Sequence, residues 1–385
     1  MQAWQLPEYI ADILPANARQ VESAKERLLE LFRVHGFELV IPPMMEYTAS
    51  LQTRTNPGID LQTIRVVDQL SGLQLGFRAD ITPQIARIDA HLLASSEGVN
   101  RLCYSGTVLL AKPDNLLSSR EPWQIGAEIY GFAGIEADLE SIDLMLKSLR
   151  MTYVDNAQLA LGHIGVFNAL AQAAGLDRDG AMQLLLAMQS KEQREIRTIL
   201  NRLEVLPELA AAFLCLPSLY GDVNILEEAK RALPDLSGIQ DALRQLDIVC
   251  QRFQSENIHI DLSELRVDTY HTGLLYAAYA PKWADAVARG GRYDGLGQIF
   301  GRVRPATGFT LYLKDLMKIL PKNNAKLGIK VSLQDYEKAL PIIEALRSQG
   351  EAVVIDYINQ SAHSLHCNRQ LVLENGQWQV INCIT

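Results

Sequence analysis

The sequence contains no apolar run long enough for a membrane helix and no pattern typical of a secreted protein. A membrane helix needs about 20 consecutive apolar residues, and no stretch of the 385-residue chain approaches that length. The amino-terminal segment MQAWQLPEYIADILP carries acidic residues and prolines, whereas a signal peptide has a basic segment followed by an apolar one. We therefore expect a cytoplasmic location and no membrane partner.

Cysteine is scarce and does not form a disulfide or metal-binding pattern. The five cysteines are Cys103, Cys215, Cys250, Cys367 and Cys383. Their scattering and odd number argue against a disulfide framework. His363 and His366 lie near the last two cysteines, but the CxxC or HxxxH spacing of a zinc site is absent. We expect no metal and no cofactor.

Basic residues are outnumbered in this chain. There are 36 Lys and Arg against 45 Asp and Glu, which gives a formal net charge of −9. A nucleic-acid-binding protein usually carries a basic patch, because each phosphate contact needs a Lys or Arg. The acidity does not exclude a local patch, but it argues against a tRNA partner.

Regular helical and extended segments begin near the amino terminus. Residues 18–35 predict a helix that ends before Gly36. Its apolar face would carry Val21, Leu28, Leu31, Phe32 and His35. The segments TIRVVDQ and LQLGFRA read as strands around a turn at Ser71-Gly72. TPQIARIDAHLLAS then predicts a helix with Thr82 as N-cap and Pro83 at its first position.

The composition and periodicity of the sequence change along the chain, which predicts three parts. Residues 166–255 are rich in Leu, Ala, Glu, Lys and Arg at helical spacing and read as a helical insertion. It interrupts a core formed by residues 1–165 and 256–320, which contains further strand-like stretches. Residues 321–385 begin with a linker and then read strand, helix, strand, which indicates a small α/β domain.

Several core segments resemble, in order and spacing, the class II aminoacyl-tRNA synthetases, and histidyl-tRNA synthetase most of all. GFELVIPPMMEY resembles the first motif, a strand at the dimer interface, and FRADITPQIAR resembles the substrate loop. RLCYSGTVLL through REPWQIGAEIYG resembles the second motif, while RVDTYHTGLLY and GGRYDGLG resemble the two histidine-specific signatures. The resemblance covers roughly residues 5–320. It implies an α+β fold with an antiparallel sheet flanked by helices, and a dimer.

The resemblance also implies a pocket for free histidine. The positions that match histidine contacts of the family are Asp80, Thr82, Gln124, Glu128, Arg266, His271 and Tyr293. An amino acid needs acceptors for its ammonium group, which Asp80, Thr82 and Gln124 would provide. Its carboxylate needs a cation, which Arg266 would provide through a charge-assisted hydrogen bond.

The remaining matched residues would hold the imidazole ring of the ligand. They are Glu128, His271 and Tyr293, and His271 replaces a tyrosine of the synthetase pattern. Each matched residue also has a plainer interpretation. Thr82 would be only a helix cap that Asp80 supports, Glu128 a structural carboxylate, and Arg266 a surface residue. Seven compatible residue types in one ordered framework favour histidine binding.

The residues that activate ATP in the synthetase family are replaced here. The family uses two arginines, one in the second motif and one in the third, to stabilise the reacting phosphates. Counting back from Arg120 places Leu110 at the first arginine, with Lys112 at a nearby glutamate. In ATGFTLYLKDL, Lys314 and Asp315 replace the glutamate and the second arginine. Because losing one such contact costs about 10²–10³-fold in rate, we expect no synthetase catalysis.

A histidine-binding, synthetase-like chain without catalysis is similar to the regulatory subunits of ATP phosphoribosyltransferase. This resemblance implies a non-enzymatic, allosteric subunit whose partner is a short-form catalytic subunit. It further implies feedback inhibition by histidine of the first step of histidine biosynthesis, and a dimer within a larger hetero-oligomer. The 64 residues from Lys322 onward carry six basic and six acidic residues, and such a short, neutral segment is a poor tRNA platform.

Two other interpretations remain open from the sequence. The first is an active but divergent histidyl-tRNA synthetase, which would need functional replacements for Leu110 and Asp315. The second is another histidine-sensing, synthetase-like module in a different assembly. A phosphoribosyl pyrophosphate loop is not found in the sequence, because the nearest run, from Asp268 to Gly273, falls inside a histidine signature. The transferase chemistry would therefore belong to the partner.

Overall fold

The computed structural model describes residues 4–51, 61–113, 118–263, 270–281, 283, 285–319 and 327–383. The chain divides into two compact units, Met1–Pro321 and Lys322–Thr385. In the part of the chain that the structure describes, no helix is both long enough and apolar enough to cross a membrane.

The large unit is built on a nine-stranded sheet. In chain order, its described strands are β1 (Glu38–Leu39), β2 (Met45–Tyr47), β3 (Arg65–Val67), β4 (Gln74–Phe77), β5 (Asn100–Thr107), β6 (Trp123–Tyr130), β7 (Gln158–His163), β8 (Tyr220–Gly221), β9 (Asn257–Asp261), β10 (Leu274–Tyr279), β11 (Ala286–Arg292) and β12 (Ala306–Tyr312). The large sheet has the order β1-β5-β6-β12-β11-β10-β7-β9-β8. Its pairs are antiparallel except β1–β5 and β7–β9. Strands β2, β4 and β3 form a small antiparallel sheet.

Helices surround the sheet and fill the stretch between β7 and β9. The described α-helices of the large unit are α1 (Pro15–Val34), α2 (Thr48–Leu51), α3 (Thr82–Arg87), α4 (Ile135–Met151), α5 (Ile164–Ala173), α6 (Arg178–Ser190), α7 (Gln193–Arg202), α8 (Pro207–Cys215), α9 (Ile225–Ala232), α10 (Ser237–Arg252) and α11 (Leu313–Ile319). A π-helix follows α3 at Ile88–Leu92, and short 3-10 helices lie at Leu216–Ser218 and Leu296–Phe300. Helices α5 to α10 fall within or next to the predicted helical insertion.

Helix α1 follows the apolar periodicity of its sequence. Val21, Leu28 and Phe32 are buried, as their helical spacing predicts. The helix ends at Val34, and Gly36 then adopts a φ of +83°, a left-handed conformation that glycine reaches without strain. The helix predicted at residues 18–35 is therefore confirmed.

One face of the large sheet is covered by helices. Phe32 of α1 packs edge-on against Phe309 of β12, with ring centroids 5.9 Å apart. Ser141 of α4 forms a 2.6 Å hydrogen bond with the hydroxyl of Tyr276 in β10. Since successive strand residues point to opposite faces, the neighbours of Phe309 point to the other face, where the cavity described below lies.

A buried ion pair fixes α4 to the sheet. Arg292 at the end of β11 donates from Nε to Asp138 Oδ2 at 3.0 Å, and from Nη2 to the carbonyl of Gly134 at 3.0 Å. The side chain of Asp138 is fully buried and that of Arg292 is 8% exposed. Because a charge buried without a partner is strongly destabilising, this pair sets the position of β11 against α4.

The small unit has a four-stranded sheet of its own. Its elements are β13 (Gly328–Ser332), α12 (Leu333–Ser348), β14 (Val353–Asp356), β15 (Cys367–Glu374) and β16 (Gln377–Asn382). The sheet order is β14-β13-β15-β16, and β13 pairs in parallel with both of its neighbours. Ser332 caps α12 by accepting a hydrogen bond from the backbone N–H of Asp335 at 3.2 Å. The predicted strand, helix, strand order is present.

Candidate functional site

The carboxylate of Glu128 is the centre of a buried polar cluster on the open face of the large sheet. Strand β6 carries Glu128, which is 1% exposed. Its Oε1 accepts a hydrogen bond from Thr82 Oγ1 at 3.0 Å and another from the Tyr104 hydroxyl at 3.3 Å. The hydroxyl of Tyr293, just after β11, donates to Oε2. Three hydroxyl groups from different elements thus converge on one carboxylate.

Burial controls the protonation of this cluster. It raises the pKa of Glu128 to about 8; the hydroxyls of Tyr293 and Thr82 oppose this shift, and the nearby charge of Asp80 adds to it. Burial also raises the pKa of Tyr293 and of Tyr104 well above the ordinary tyrosine value. A cationic or N–H-bearing ligand would stabilise the ionised form of Glu128. Binding of such a group would therefore lower the pKa of Glu128.

The sheet makes room for this carboxylate with a glycine. Gly308 of β12 lies directly opposite Glu128 in the strand pairing. A Cβ atom added at Gly308 would lie 1.6 Å from Glu128 Oε2 and 2.6 Å from the carbonyl oxygen of Ala127. No side chain fits in that space, so position 308 requires glycine as long as Glu128 keeps its conformation.

Asp80 and Gln124 mark the other end of the site. The backbone N–H of Ile81 donates to Asp80 Oδ1 at 2.8 Å and to Gln124 Oε1 at 3.1 Å. Gln124 is buried and precedes Glu128 by four residues on the same strand. A strand rises about 3.4 Å per residue, so the two α-carbons are roughly 14 Å apart on one face. The site is thus elongated, with a polar group at each end.

Aromatic rings form a wall beside Glu128. The ring centroids of Tyr270 and His271 are 4.6 Å apart, and Tyr270 packs edge-on against Tyr293 with ring centroids 5.8 Å apart. Tyr293 in turn meets Tyr130 edge-on at 6.2 Å. Such edge-to-face packing holds rings in defined orientations, which favours a flat, aromatic part of a ligand next to Glu128.

One cavity of about 490 Å³ contains most of the predicted site. Six of the seven predicted residues line it: Asp80, Thr82, Gln124, Glu128, His271 and Tyr293. The seventh, Arg266, lies outside the described residues. Arg289, which was not among the predicted residues, also lines the cavity. Arg289, Gly291 and Tyr293 are spaced two apart, and that alternation places side chains on one face of a strand and could have identified the arginine.

The structure decides between the two interpretations of Thr82. Helix α3 begins at Thr82 itself, the preceding Ile81 is the N-cap residue, and no side chain caps this helix end. The predicted N-cap role of Thr82 is therefore wrong. An N-cap residue accepts a bond from the helix amides, whereas the hydroxyl of Thr82 donates to Glu128.

The positions that the sequence resemblance sets against ATP-binding residues of the synthetases meet at a second, small cavity. Leu110, Lys314, Asp315 and Arg289 all line this space of about 30 Å³, which is room for little more than a water molecule. Lys314 Nζ bonds Glu121 Oε2 at 2.8 Å, and Asp315 Oδ1 accepts from Lys318 at 2.9 Å. The ammonium group of Lys314 is thus already paired with a carboxylate.

Comparison with known sequences identifies two matching families. Residues 9–316 match the family model described as histidyl-tRNA synthetase, and residues 328–381 match the ATP phosphoribosyltransferase subunit HisZ C-terminal domain. The chain is 55% identical to a protein of Neisseria meningitidis serogroup C named ATP phosphoribosyltransferase regulatory subunit, over 99% of this chain and 100% of that one. It is 51% identical to a protein of the same name from Chromobacterium violaceum, over 99% of each chain.

Solved structures confirm the predicted class II synthetase-like fold. A Bacillus halodurans protein described as an ATP phosphoribosyltransferase regulatory subunit/histidyl-tRNA synthetase superposes with a TM-score of 0.82 at 25% identity, over 93% of this chain and 94% of that one. Histidyl-tRNA synthetase from a Nostoc species gives a TM-score of 0.78 at 14% identity, over 99% and 97% of the chains. The chain therefore belongs to the family of ATP phosphoribosyltransferase regulatory subunits, in agreement with the predicted non-enzymatic role.

Proposed function

We propose that this chain binds free histidine in the 490 Å³ cavity and thereby lowers the activity of a separate ATP phosphoribosyltransferase catalytic subunit. The observation that carries the proposal is the buried carboxylate of Glu128, surrounded by hydroxyl groups and an aromatic wall. Histidine biosynthesis begins with the reaction of that enzyme, so the end product would regulate its own synthesis.

The imidazole ring of histidine suits the Glu128 end of the cavity. An imidazole N–H donates to a carboxylate through a charge-assisted hydrogen bond, which is stronger than a neutral one. The second ring nitrogen would face the hydroxyl of Tyr293 or the ring of His271. A phenyl or alkyl side chain would leave Glu128 buried without a charged or N–H partner, which excludes phenylalanine and leucine as good ligands.

The amino-acid backbone suits the opposite end of the cavity. Asp80 and Gln124 already converge on one backbone N–H at distances of 2.8 and 3.1 Å, so both carry oxygens close to a common point. A ligand ammonium group near that point would gain a carboxylate and an amide oxygen as acceptors. With six of the seven predicted contact residues around one cavity, we propose that Arg266 completes the set.

The second cavity argues against the alternative of an active synthetase. Leu110 supplies no charge there, and Asp315 supplies a negative one. The two cations among the described lining residues are already paired, Lys314 with Glu121 and Arg289 with Asp285. A bent triphosphate needs cations at such positions. We therefore propose that histidine is bound but not activated, and that tRNA is not a partner.

Assembly and location form part of the same proposal. The relatives are named regulatory subunits, which supports a separate catalytic subunit as partner. We propose that this partner is of the short form and that the hetero-oligomer is cytoplasmic. A dimer of this chain is supported by exposed apolar side chains in and around β1 and β2. Exposed there are Leu39, Ile41, Met45 and Tyr47, and Ile41 is 82% exposed. Histidine can change activity only by binding two states of this assembly with different affinity.

Reconstitution tests the proposal. The rate of a short-form catalytic subunit is measured with and without the full-length chain across a histidine titration. We expect histidine to lower the rate only when the chain is present, and a Glu128→Gln chain to require a higher histidine concentration. A rate that ignores the chain at every histidine concentration would refute the regulatory role. ATP-dependent pyrophosphate exchange by the chain alone would instead support a synthetase.

A further inference from the structure

We propose that Arg289 binds the carboxylate of the ligand as a second cation beside Arg266, and restricts the pocket to amino acids with a free carboxylate. This inference rests on the proposed histidine binding and adds the residue that recognises the ligand carboxylate. Arg289 lies in β11, four residues before Tyr293, and lines the large cavity.

The strand register places Arg289 on the ligand side of the sheet. Arg289 pairs with Thr310 of β12, and Thr310 pairs with Gly126 of β6. The side chain of Thr310 points to the cavity side, since its hydroxyl lies 2.6 Å from that of Tyr104, which contacts Glu128. Directly paired residues point to the same face of a sheet, so Arg289 points there as well.

The guanidinium group extends toward the backbone end of the site. It bonds Asp285, which precedes β11 by one residue, and its Cζ lies 5.9 Å from the ring centroid of Tyr312. Tyr312 is the residue paired with Gln124. The cation therefore lies level with Gln124, at the end where Asp80 would take the ammonium, and away from the imidazole end.

The spacing suits the two polar groups of an amino acid. Strands β6 and β11 are separated by β12, so their backbones are roughly 10 Å apart at two strand spacings. Gln124 faces the gap from β6 and Arg289 faces it from β11. A ligand α-carbon between them would direct its ammonium toward Asp80 and Gln124 and its carboxylate toward Arg289.

The guanidinium group has unused hydrogen-bonding capacity. Its Nε is buried and has no hydrogen-bond partner among the described residues, while Nη2 is used by Asp285. The planar guanidinium presents several donors in a fork that matches both oxygens of a carboxylate. A ligand carboxylate would bond the part of the guanidinium group that lines the large cavity.

A purely structural role for Arg289 makes a different prediction. Arg289 lines both the large and the small cavity, so it also separates them, and its bond to Asp285 braces the start of β11. If Arg289 only separated the cavities or stabilised β11, its loss would lower the affinity for all ligands alike. If it binds the carboxylate, its loss would affect only ligands that have one.

Calorimetric titration of the full-length chain with histidine, histidinol and an Nε2-methylated histidine separates these roles. In histidinol a hydroxymethyl group replaces the carboxylate. A hydrogen bond between charged groups contributes enough for the wild-type chain to prefer histidine over histidinol by roughly 10- to 150-fold. Because Arg266 would still contribute to carboxylate binding, we expect Arg289→Met to reduce that preference by roughly tenfold, and Arg289→Lys to retain part of it. The preference for histidine over its methylated analogue would depend on Glu128, so this ratio of affinities should stay unchanged.

The controls make the outcomes distinct. Arg244, whose side chain is 65% exposed on α10, provides a matched Arg244→Met variant that should bind all three ligands like the wild-type chain. An Arg289→Met chain that is folded by circular dichroism but keeps the full preference overturns the inference, as does an equal loss for histidine and histidinol. If that variant does not fold, the same comparison is made with Arg289→Lys. A wild-type chain that does not bind histidine refutes the proposed function itself.

Discussion

The substitution Glu128→Gln should weaken histidine binding and raise the free energy of unfolding at neutral and alkaline pH. Gln keeps the shape of the side chain and an oxygen that accepts from Thr82 and Tyr104, but it cannot be ionised. The pKa of Glu128 is about 8 in the folded chain, against an ordinary value of 4.5. Between these two values the folded state holds a proton that the unfolded state releases, so folding stability falls as pH rises toward 8.

The size of the effect follows from these two pKa values. As the pH rises from 6 to 8.5, ionisation of Glu128 in the unfolded state lowers the free energy of unfolding of the wild-type large unit by about 2 to 3 kcal/mol. The Gln variant lacks this loss. For histidine, the change removes a hydrogen bond to a charged group, which contributes about 1.5 to 3 kcal/mol, or roughly a 10- to 150-fold change in affinity.

Two assays check the two halves of this prediction. Urea unfolding at pH 6 and pH 8.5 should show a flatter pH dependence for Glu128→Gln than for the wild-type chain. Calorimetric titration with histidine should show weaker binding by the variant. The same pH slope in both chains would mean that Glu128 is not the titrating group. Unchanged affinity would mean that it does not contact the imidazole, and the account of the pocket would fail.

Two further substitutions follow from the packing around the site. Gly308→Ala should destabilise the large unit by about 1–3 kcal/mol and abolish histidine binding, because the new methyl group would overlap Glu128. Urea unfolding and calorimetric titration measure the two effects. Gly295→Ala is the neutral control in both assays, since a Cβ atom at Gly295 would meet nothing within 4 Å. Arg292→Met should cost about 3–5 kcal/mol in urea unfolding because Asp138 stays buried without its partner, and an Asp138→Asn, Arg292→Met double variant that recovers nothing would contradict that reason.

Local features of the fold could be predicted from the sequence because they depend on neighbouring residues. The apolar spacing of Val21, Leu28 and Phe32 identifies α1, and Gly36 identifies its end. The Ser71-Gly72 turn between two alternating segments identifies the β3–β4 pair, which the structure shows as antiparallel. In both cases the deciding information lies within a few residues of the chain.

Features that depend on distant pairing could not be read from local patterns. The hydroxyl of Thr82 turns to Glu128, 46 residues away, where the local pattern predicted a helix cap. The alternation of Arg289, Gly291 and Tyr293 puts Arg289 on the face of Tyr293, but its distance from Gln124 depends on β11 lying two strands from β6, an order that the sequence does not reveal. The seven site residues came from resemblance to a family, and that resemblance indicated nothing about an arginine at position 289.

The most direct test of the central claim is equilibrium dialysis of the purified full-length chain against labelled histidine, with and without ATP. We expect that one histidine is retained per chain, that ATP changes neither the amount nor the affinity, and that no adenylate forms. No retention of histidine, or retention only in the presence of ATP, would contradict a regulatory pocket that binds free histidine without activating it.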